Sequence, residues 1–181
     1  MTSYDLSFAH QDHFTLLGLT RGYALDASEL ERLYRDIKAR VHPDKHAHLG
    51  DAERRIAMQW STQVNEAYQT LRDPLRRARY LLHMAGHDAQ IETNTAMPVE
   101  FLLQQMELRE AVATARAAAA GDELDAMHGR MRKVMAAQHE ALHQAIDAAH
   151  NYARAAEIVR QLMFQEKLLM EIDDALAAVE T

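Results

Sequence analysis

The stretch Lys38-Ala39-Arg40-Val41-His42-Pro43-Asp44-Lys45 decides how the first half of this chain folds. Upstream of it, apolar residues recur at helical spacing and predict an amphipathic helix over residues 27–41; they are Leu30, Leu33, Tyr34, Ile37 and Val41. Pro43 disfavours the α conformation at His42 and has no N–H to donate, so we expect the helix to stop there. The side chains of His42 and Asp44 are then free to stay outside the core.

The remaining surface of this helix is basic, through Arg32, Arg35, Lys38 and Arg40. On a helical wheel the first two lie opposite the apolar stripe and the last two flank it. The helix should therefore pack on one side and present positive charge on the other. Two starting points for this helix fit the sequence. One is a capping box of Ser28 with Glu31, and the other is an N-cap at Asp26.

Composition indicates an all-α protein. Long apolar periodicities run through 181 residues that include only 6 Gly and 3 Pro, so few residues interrupt a helix. There is no cysteine, which excludes disulfides and thiolate ligation of zinc or of an iron–sulfur cluster by this chain. No apolar run reaches the length of a membrane span and no secretory signal is visible, so we expect a cytoplasmic protein without a membrane partner.

The charge is unevenly distributed along the chain. Residues 1–86 hold 12 Lys/Arg and 11 Asp/Glu, a net charge of +1, and residues 87–181 hold 8 and 16, a net charge of −8. An acidic second half argues against nucleic acid as a ligand, because phosphate binding needs a basic surface. A basic protein partner suits it better.

Two more helices are predicted after the bend. The first runs from about residue 51 to residue 71 and pairs antiparallel with residues 27–41, with Trp60 in the core. The second begins at Pro74 and is capped by Gly86. Its inward residues are Leu75, Ala78, Leu81 and Leu82, and its outward residues are Arg76, Arg77 and Arg79.

The tripeptide at 42–44, after a basic helix and before a second long helix, resembles the signature of a J-domain, the module that activates heat-shock ATPase chaperones of the DnaK and HscA class. The resemblance implies that the loop and the basic face bind the ATPase domain of the chaperone. The implied chaperone-binding residues are His42, Pro43, Asp44, Lys45, Arg32, Arg35, Lys38 and Arg40. A plain surface turn is the alternative for so short a motif.

Residues 65–82 indicate which type of J-protein the chain resembles. The run Asn65-Glu66-Ala67-Tyr68-Gln69-Thr70-Leu71, then Pro74 and Arg77-Ala78-Arg79-Tyr80-Leu81-Leu82, is similar to the HscB type of J-protein, a co-chaperone of iron–sulfur cluster assembly. This type implies an HscA-type chaperone and the scaffold protein IscU as partners. We expect no cofactor, no metal site and no enzymatic activity. His46 departs from the family, in which an aromatic residue often stands there.

We expect a J-domain over residues 10–86, a polar linker over 87–97 and a three-helix antiparallel bundle over 98–181. The bundle helices should end near residues 120, 149 and 179. Heptad-like spacing predicts the seam residues of the second helix, Leu124, Met127, Met131, Val134, Gln138, Leu142, Ala145 and Ala149. In the third helix they are Ala155, Ile158, Leu162, Gln165, Leu169, Ile172, Leu176 and Val179.

Some residues of the first bundle helix do not fit the seam. When Phe101, Leu108, Val112 and Ala115 face inward, Leu103 and Met106 point away, beside Glu107 and Glu110. An apolar patch edged with acid is typical of a partner-binding surface, although packing against the first domain is an alternative. The HscB resemblance implies that the scaffold binds here, through Leu102, Leu103, Met106, Glu107, Glu110 and Phe164. Thr114 stands where the family has an acidic residue.

The main enzyme alternative is a zinc peptidase. His139-Glu140-Ala141-Leu142-His143 matches the HExxH motif, in which two imidazoles one turn apart share a zinc ion and the glutamate is the general base. A third ligand would have to come from His150, Glu157 or Glu166. A slim bundle offers no obvious substrate cleft, so we favour the co-chaperone. A J-protein adaptor for an unrelated client is a further alternative.

Overall fold

The computed structural model describes residues 11–41, 50–87 and 97–179. Every regular element in these ranges is helical: α1 (His13–Leu17), α2 (Ala27–Val41), α3 (Asp51–Arg72), α4 (Pro74–Met84), α5 (Val99–Ala117), α6 (Gly121–His143), a π-helical turn (Gln144–Ala148) and α7 (Tyr152–Val179). The chain divides into two compact units, Met1–Tyr80 and Leu81–Thr181. The domain boundaries proposed from the sequence stay a prediction.

The first unit is built on the antiparallel pair of α2 and α3. Asp26 begins α2, because its Oδ1 accepts hydrogen bonds from the backbone N–H groups of Ser28 (2.8 Å) and Glu29 (3.2 Å). The alternative capping box does not form, and Glu31 instead accepts a bond from the Tyr68 hydroxyl on α3. Leu30 is buried as predicted.

Short α1 packs against both helices of this pair. The Asp12 carboxylate caps its N-terminus through the N–H groups of Phe14 (2.9 Å) and Thr15 (3.0 Å). Gly18 ends the helix at φ 72°, in the left-handed region that glycine adopts without strain. Phe14 and Leu17 are 1% and 0% exposed, so α1 supplies a large part of the core of this unit.

Trp60, predicted to be in the core, is only partly buried on α3. The core positions of this helix are smaller residues, namely Ala57, Val64, Ala67 and Leu71. On α4 the four predicted inward residues, Leu75, Ala78, Leu81 and Leu82, are all buried. Gly86 also ends α4 as predicted, with φ 73° and with the N–H of His87 bonded to the carbonyl of Leu82 at 2.9 Å.

The prediction that Arg77 faces outward is wrong. Arg77 is 8% exposed, its Nη1 donates to the carbonyl of Leu71 at 2.7 Å, and its guanidinium lies 5.2 Å from the centroid of the Tyr23 ring. The Leu71 carbonyl belongs to the last turn of α3, where carbonyls have no partner within the helix. A buried arginine therefore satisfies a helix end and stacks on an aromatic ring.

The second unit contains a three-helix bundle. Gln138 pairs with Gln161 at 3.1 Å and His128 with Asp173 at 3.2 Å, so numbering rises along α6 while it falls along α7 and the two helices are antiparallel. Helix α5 runs parallel to α7, because Phe101 contacts Phe164 and Arg109 contacts Glu171. One part of the core is formed by Val112, Ala115, Leu124, Met127, Met131, Leu168, Ile172 and Ala175.

Part of the predicted seam of α6 is wrong. Val134 is 47% exposed and Ala149 is exposed. A straight α-helix drifts by about 20° per heptad from a strict seven-residue repeat, and this drift moves positions out of the seam. The helix also ends earlier than predicted, at His143, and Ala149 lies beyond the π-helical turn. In the same way, α5 ends at Ala117.

Candidate functional site

The basic face of α2 leads directly into segment 42–49. His42, Pro43, Asp44, Lys45 and His46 lie outside the described residues. On α2 itself, Arg32 and Arg35 are exposed, and their guanidinium groups lie 3.3 Å from Asp36 and 3.8 Å from Glu31. Exposed pairs of this kind contribute little stability, so both arginines stay accessible to a partner. Arg40 is also exposed, and its Nε donates to the carbonyl of Asp36 at 3.4 Å.

Lys38 differs from those arginines because it bonds across the helix pair. Its Nζ donates to Oδ1 of Asn65 on α3 at 2.6 Å, and the Tyr34 hydroxyl donates to the same oxygen at 2.9 Å. The rings of Tyr34 and Tyr68 stack with centroids 4.0 Å apart. Lys38 thus holds α2 and α3 together in addition to carrying charge. This role was not predicted from the sequence, although Asn65 and Tyr68 belong to the run at residues 65–71 that resembles HscB.

An exposed apolar patch lies on α5. Val99, Leu103 and Met106 are 65%, 54% and 66% exposed, and they recur at the spacing of one helix face. Glu107 and Glu110 are exposed beside them. The outward positions of Leu103 and Met106 agree with the sequence analysis. Val99, which extends the patch by one turn, was missed, although its spacing from Leu103 and Met106 was visible in the sequence.

The other predicted residues of this face are less exposed. Leu102 is half-buried, and so is Phe164, whose ring meets Phe101 edge-on with centroids 6.0 Å apart and an interplanar angle of 83°. Phe164 therefore lies at the boundary between α5 and α7. The Thr114 hydroxyl donates to the backbone carbonyl of Glu110 at 2.9 Å, one turn back in the same helix. It supplies no negative charge at that position.

The HExxH stretch lies at the junction of α6 with the π-helical turn. His143 Nδ1 is 2.9 Å from Asp147 Oδ2, and the Glu140 carboxylate accepts a bond from Gln144 at 3.0 Å. Throughout residues 11–41, 50–87 and 97–179, no three His, Cys, Asp or Glu side chains are placed to hold one metal ion. The described part of the chain thus provides no third ligand for a zinc peptidase site.

Comparison with known proteins identifies both units. The sequence matches the DnaJ domain over residues 12–80 and the HSCB C-terminal oligomerisation domain over residues 97–173. It is 53% identical over 171 residues to the co-chaperone protein HscB homologue of Aromatoleum aromaticum, covering 94% of this chain and 97% of the relative. The chain belongs to the HscB family of co-chaperones. The HscB homologue of Azoarcus sp. is 54% identical over 170 residues, covering 94% of this chain and 96% of the relative.

Solved structures of the HscB family have the same fold. The chaperone HscB from Vibrio cholerae superposes with a TM-score of 0.80 at 34% identity, over 92% of this chain and 99% of that one. The human co-chaperone HscB gives a TM-score of 0.84 at 25% identity, over 90% and 81%. The predicted all-α class, an N-terminal J-domain followed by a C-terminal three-helix bundle, is confirmed. Among the described helices, none combines the length and apolar character that crossing a membrane requires.

Proposed function

We propose that this protein stimulates the ATPase of an HscA-type heat-shock chaperone through its J-domain and brings an IscU-type iron–sulfur scaffold to that chaperone. One observation carries the scaffold assignment. Val99, Leu103 and Met106 form an exposed apolar patch with Glu107 and Glu110 at its edge, on a chain that also contains a J-domain. An apolar patch with charged neighbours on a helix is typical of a protein-binding surface.

The chaperone contact uses α2 and the segment that follows it. Arg32, Arg35 and Arg40 offer accessible positive charge, and Lys38 adds charge from a fixed position on the α2–α3 pair. We assign His42, Pro43, Asp44 and Lys45 to the same contact on the family resemblance. Charge on this face should act mostly on the association rate and should be screened by salt.

The scaffold contact uses α5 and the adjoining edge of α7. Leu103 and Met106 supply apolar area, Leu102 and Phe164 border it, and Glu107 and Glu110 orient a basic partner. The cluster is cargo of the scaffold, so this chain needs no cofactor and no catalytic group. We also propose a cytoplasmic location and no nucleic-acid or membrane partner.

The chaperone half of the proposal is tested with Asp44→Ala. We expect the variant to retain its helical signal and thermal unfolding while losing stimulation of the ATPase of a purified HscA-type chaperone. The loss arises because the carboxylate acts on the partner. Stimulation equal to wild type would show that the J-domain does not work through this tripeptide.

The scaffold half is tested with a fourfold change to alanine at Leu103, Met106, Glu107 and Glu110. All four side chains are exposed, so thermal unfolding should be near that of wild type and stimulation of the chaperone alone should persist. Each apolar truncation should remove about 1–3 kcal/mol of scaffold binding measured by calorimetry, the usual range for interface anchors. Unchanged affinity in a folded variant would leave a J-protein for an unrelated client.

A further inference from the structure

A groove lies between α5 and α7. It is nearer the C-terminus of α5 than the contact between Phe101 and Phe164 is. Its volume is about 520 Å³. Val112 and Ala175, which are 6% and 1% exposed, form its floor, and Ala113 and Ala117 are exposed beside it. Arg109, Arg116 and Glu171 also line it. The groove therefore combines a floor of small apolar side chains with a charged rim.

The two arginines on the rim differ in whether another side chain balances their charge. Nε of Arg109 donates to both carboxylate oxygens of Glu171, at 3.1 and 3.0 Å, so that arginine is fixed and its charge is balanced. Arg116 is exposed and has no ion pair or side-chain hydrogen bond to any other residue in the described part of the chain. Among the described residues, the groove thus keeps one positive charge that no other side chain balances.

The groove continues the exposed face of α5. At about 100° per residue, Glu110, Ala113 and Ala117 lie within about 40° of Met106 on the helical wheel, and Ala117 lies about 16 Å further along the axis. The character of this face changes along the helix. It is apolar and acidic from Val99 to Glu110, and small residues follow at Ala113 and Ala117, with Arg116 about 80° from Met106 at the edge of the face. Thr114 lies between the two parts, and its hydroxyl donates to the Glu110 carbonyl.

We propose that this groove is the second half of the scaffold-binding face and that Arg116 binds a carboxylate of the scaffold, an aspartate or glutamate side chain. The inference rests on the proposed function. A guanidinium presents several N–H donors in a planar fork that matches a carboxylate. The small side chains of the floor and of Ala113 and Ala117 beside it admit a partner segment close to the helix. Opposite charges at the two ends of one face fix the orientation of the bound scaffold.

The position of Arg116 also fits a purely structural role, which the test must distinguish from scaffold binding. It stands in the last turn of α5, where a cation interacts favourably with the partial negative charge of the helix C-terminus. That role predicts a change in stability when the charge is removed and no change in scaffold affinity. A carboxylate contact predicts instead a salt-dependent loss of scaffold affinity with little change in stability.

The experiment measures scaffold binding by calorimetry at low and high salt for Arg116→Gln and Arg116→Glu. We expect Arg116→Gln to weaken binding by about three- to tenfold at low salt and Arg116→Glu to weaken it further, with both losses reduced at high salt. The matched control is Arg130→Gln, which removes an exposed arginine from α6 and should leave affinity unchanged. Thermal unfolding is recorded for every variant.

A second variant tests the groove itself. Ala113→Phe places a large ring over the groove at an exposed position, so the fold should persist and scaffold affinity should fall. If Arg116→Gln and Ala113→Phe bind the scaffold as well as wild type while the fourfold variant does not bind, this inference is overturned and the proposed function stands. If the fourfold variant also binds normally, the proposed function itself fails.

Discussion

The side chain of His13 is partly buried in the first unit. Its ring stacks on Tyr80 with centroids 4.2 Å apart, and its backbone N–H bonds to the Tyr80 hydroxyl oxygen at 3.0 Å. Burial of the imidazole lowers the pKa of His13 below its ordinary value of 6.5, against smaller opposite effects of the Glu66 and Asp12 carboxylates. The folded chain therefore resists protonation at this position more than the unfolded chain does.

We expect the first unit to lose stability as the pH falls through the titration of His13. Because the folded pKa lies below the unfolded one, the stabilising contribution is complete above about pH 6.5 and is lost as the pH falls through the folded pKa. His13→Phe keeps an aromatic ring against Tyr80 and removes the titration. Thermal unfolding between about pH 7.5 and pH 5 should then decline less steeply in the variant than in wild type. Equal slopes would rule out this role for His13.

Other individual residues show which positions and contacts could be predicted from the sequence and which could not. Leu103 and Met106 were placed correctly, because an exposed apolar residue on a helix violates the periodicity in a visible way. The outward position predicted for Arg77 is wrong, and the bond from Lys38 to Asn65 was not predicted. Long basic side chains are polar at the tip and apolar along the stem, so a periodicity scale assigns them to the surface whatever their real contacts. Only the positions of Leu71 and Asn65 on a neighbouring helix reveal their partners.

Whole helices were easier to predict than their ends. The bounds of α2, α3 and α7 agree with the sequence to within about two residues, which is also the usual disagreement between ways of assigning a helix end. Helix α6 differs because it passes into a π-helical turn at residues 144–148, where the Ala149 N–H bonds to the Gln144 carbonyl at 2.9 Å. No single residue type signals such a turn, so periodicity extended the α-helix through it.

Helix α6 also contains a glycine that its fold does not require. Gly129 has no positive φ, and a Cβ built on it meets no heavy atom within 4 Å. Glycine inside a helix costs about 0.5–1 kcal/mol relative to alanine. We therefore expect Gly129→Ala to raise the free energy of unfolding of the bundle by roughly that amount, measured by urea unfolding.

The control for this prediction is Gly86→Ala. A Cβ at Gly86 also has open space, but its φ of 73° strains any side chain. The two substitutions add the same methyl group, so we expect opposite signs, stabilising at Gly129 and destabilising at Gly86. A loss of stability in Gly129→Ala would show that something outside the described contacts approaches this face of α6.

At the scale of the whole molecule, the two proposed contacts have opposite charge and stand on separate units. The half that contains the J-domain has a net charge of +1, and the half that contains the bundle has a net charge of −8. This separation discourages either partner from binding at the wrong site, because like charges would meet there. It also allows each contact to be removed without unfolding the other unit, since the four residues exchanged on α5, Leu103, Met106, Glu107 and Glu110, are exposed.

This separation permits a test of whether both contacts must be on one chain. Asp44→Ala should retain the scaffold contact, and the fourfold variant at Leu103, Met106, Glu107 and Glu110 should retain the J-domain. A scaffold held on the same chain as an active J-domain meets the chaperone at an effective concentration in the range of about millimolar, whereas separate molecules meet at their bulk concentration. At micromolar protein, we expect wild type to give a scaffold-dependent rise in chaperone ATPase that an equimolar mixture of the two variants does not reproduce. The mixture should match the fourfold variant alone. Recovery of the wild-type rise by the mixture would show that the two contacts act independently and that the chain does not deliver the scaffold.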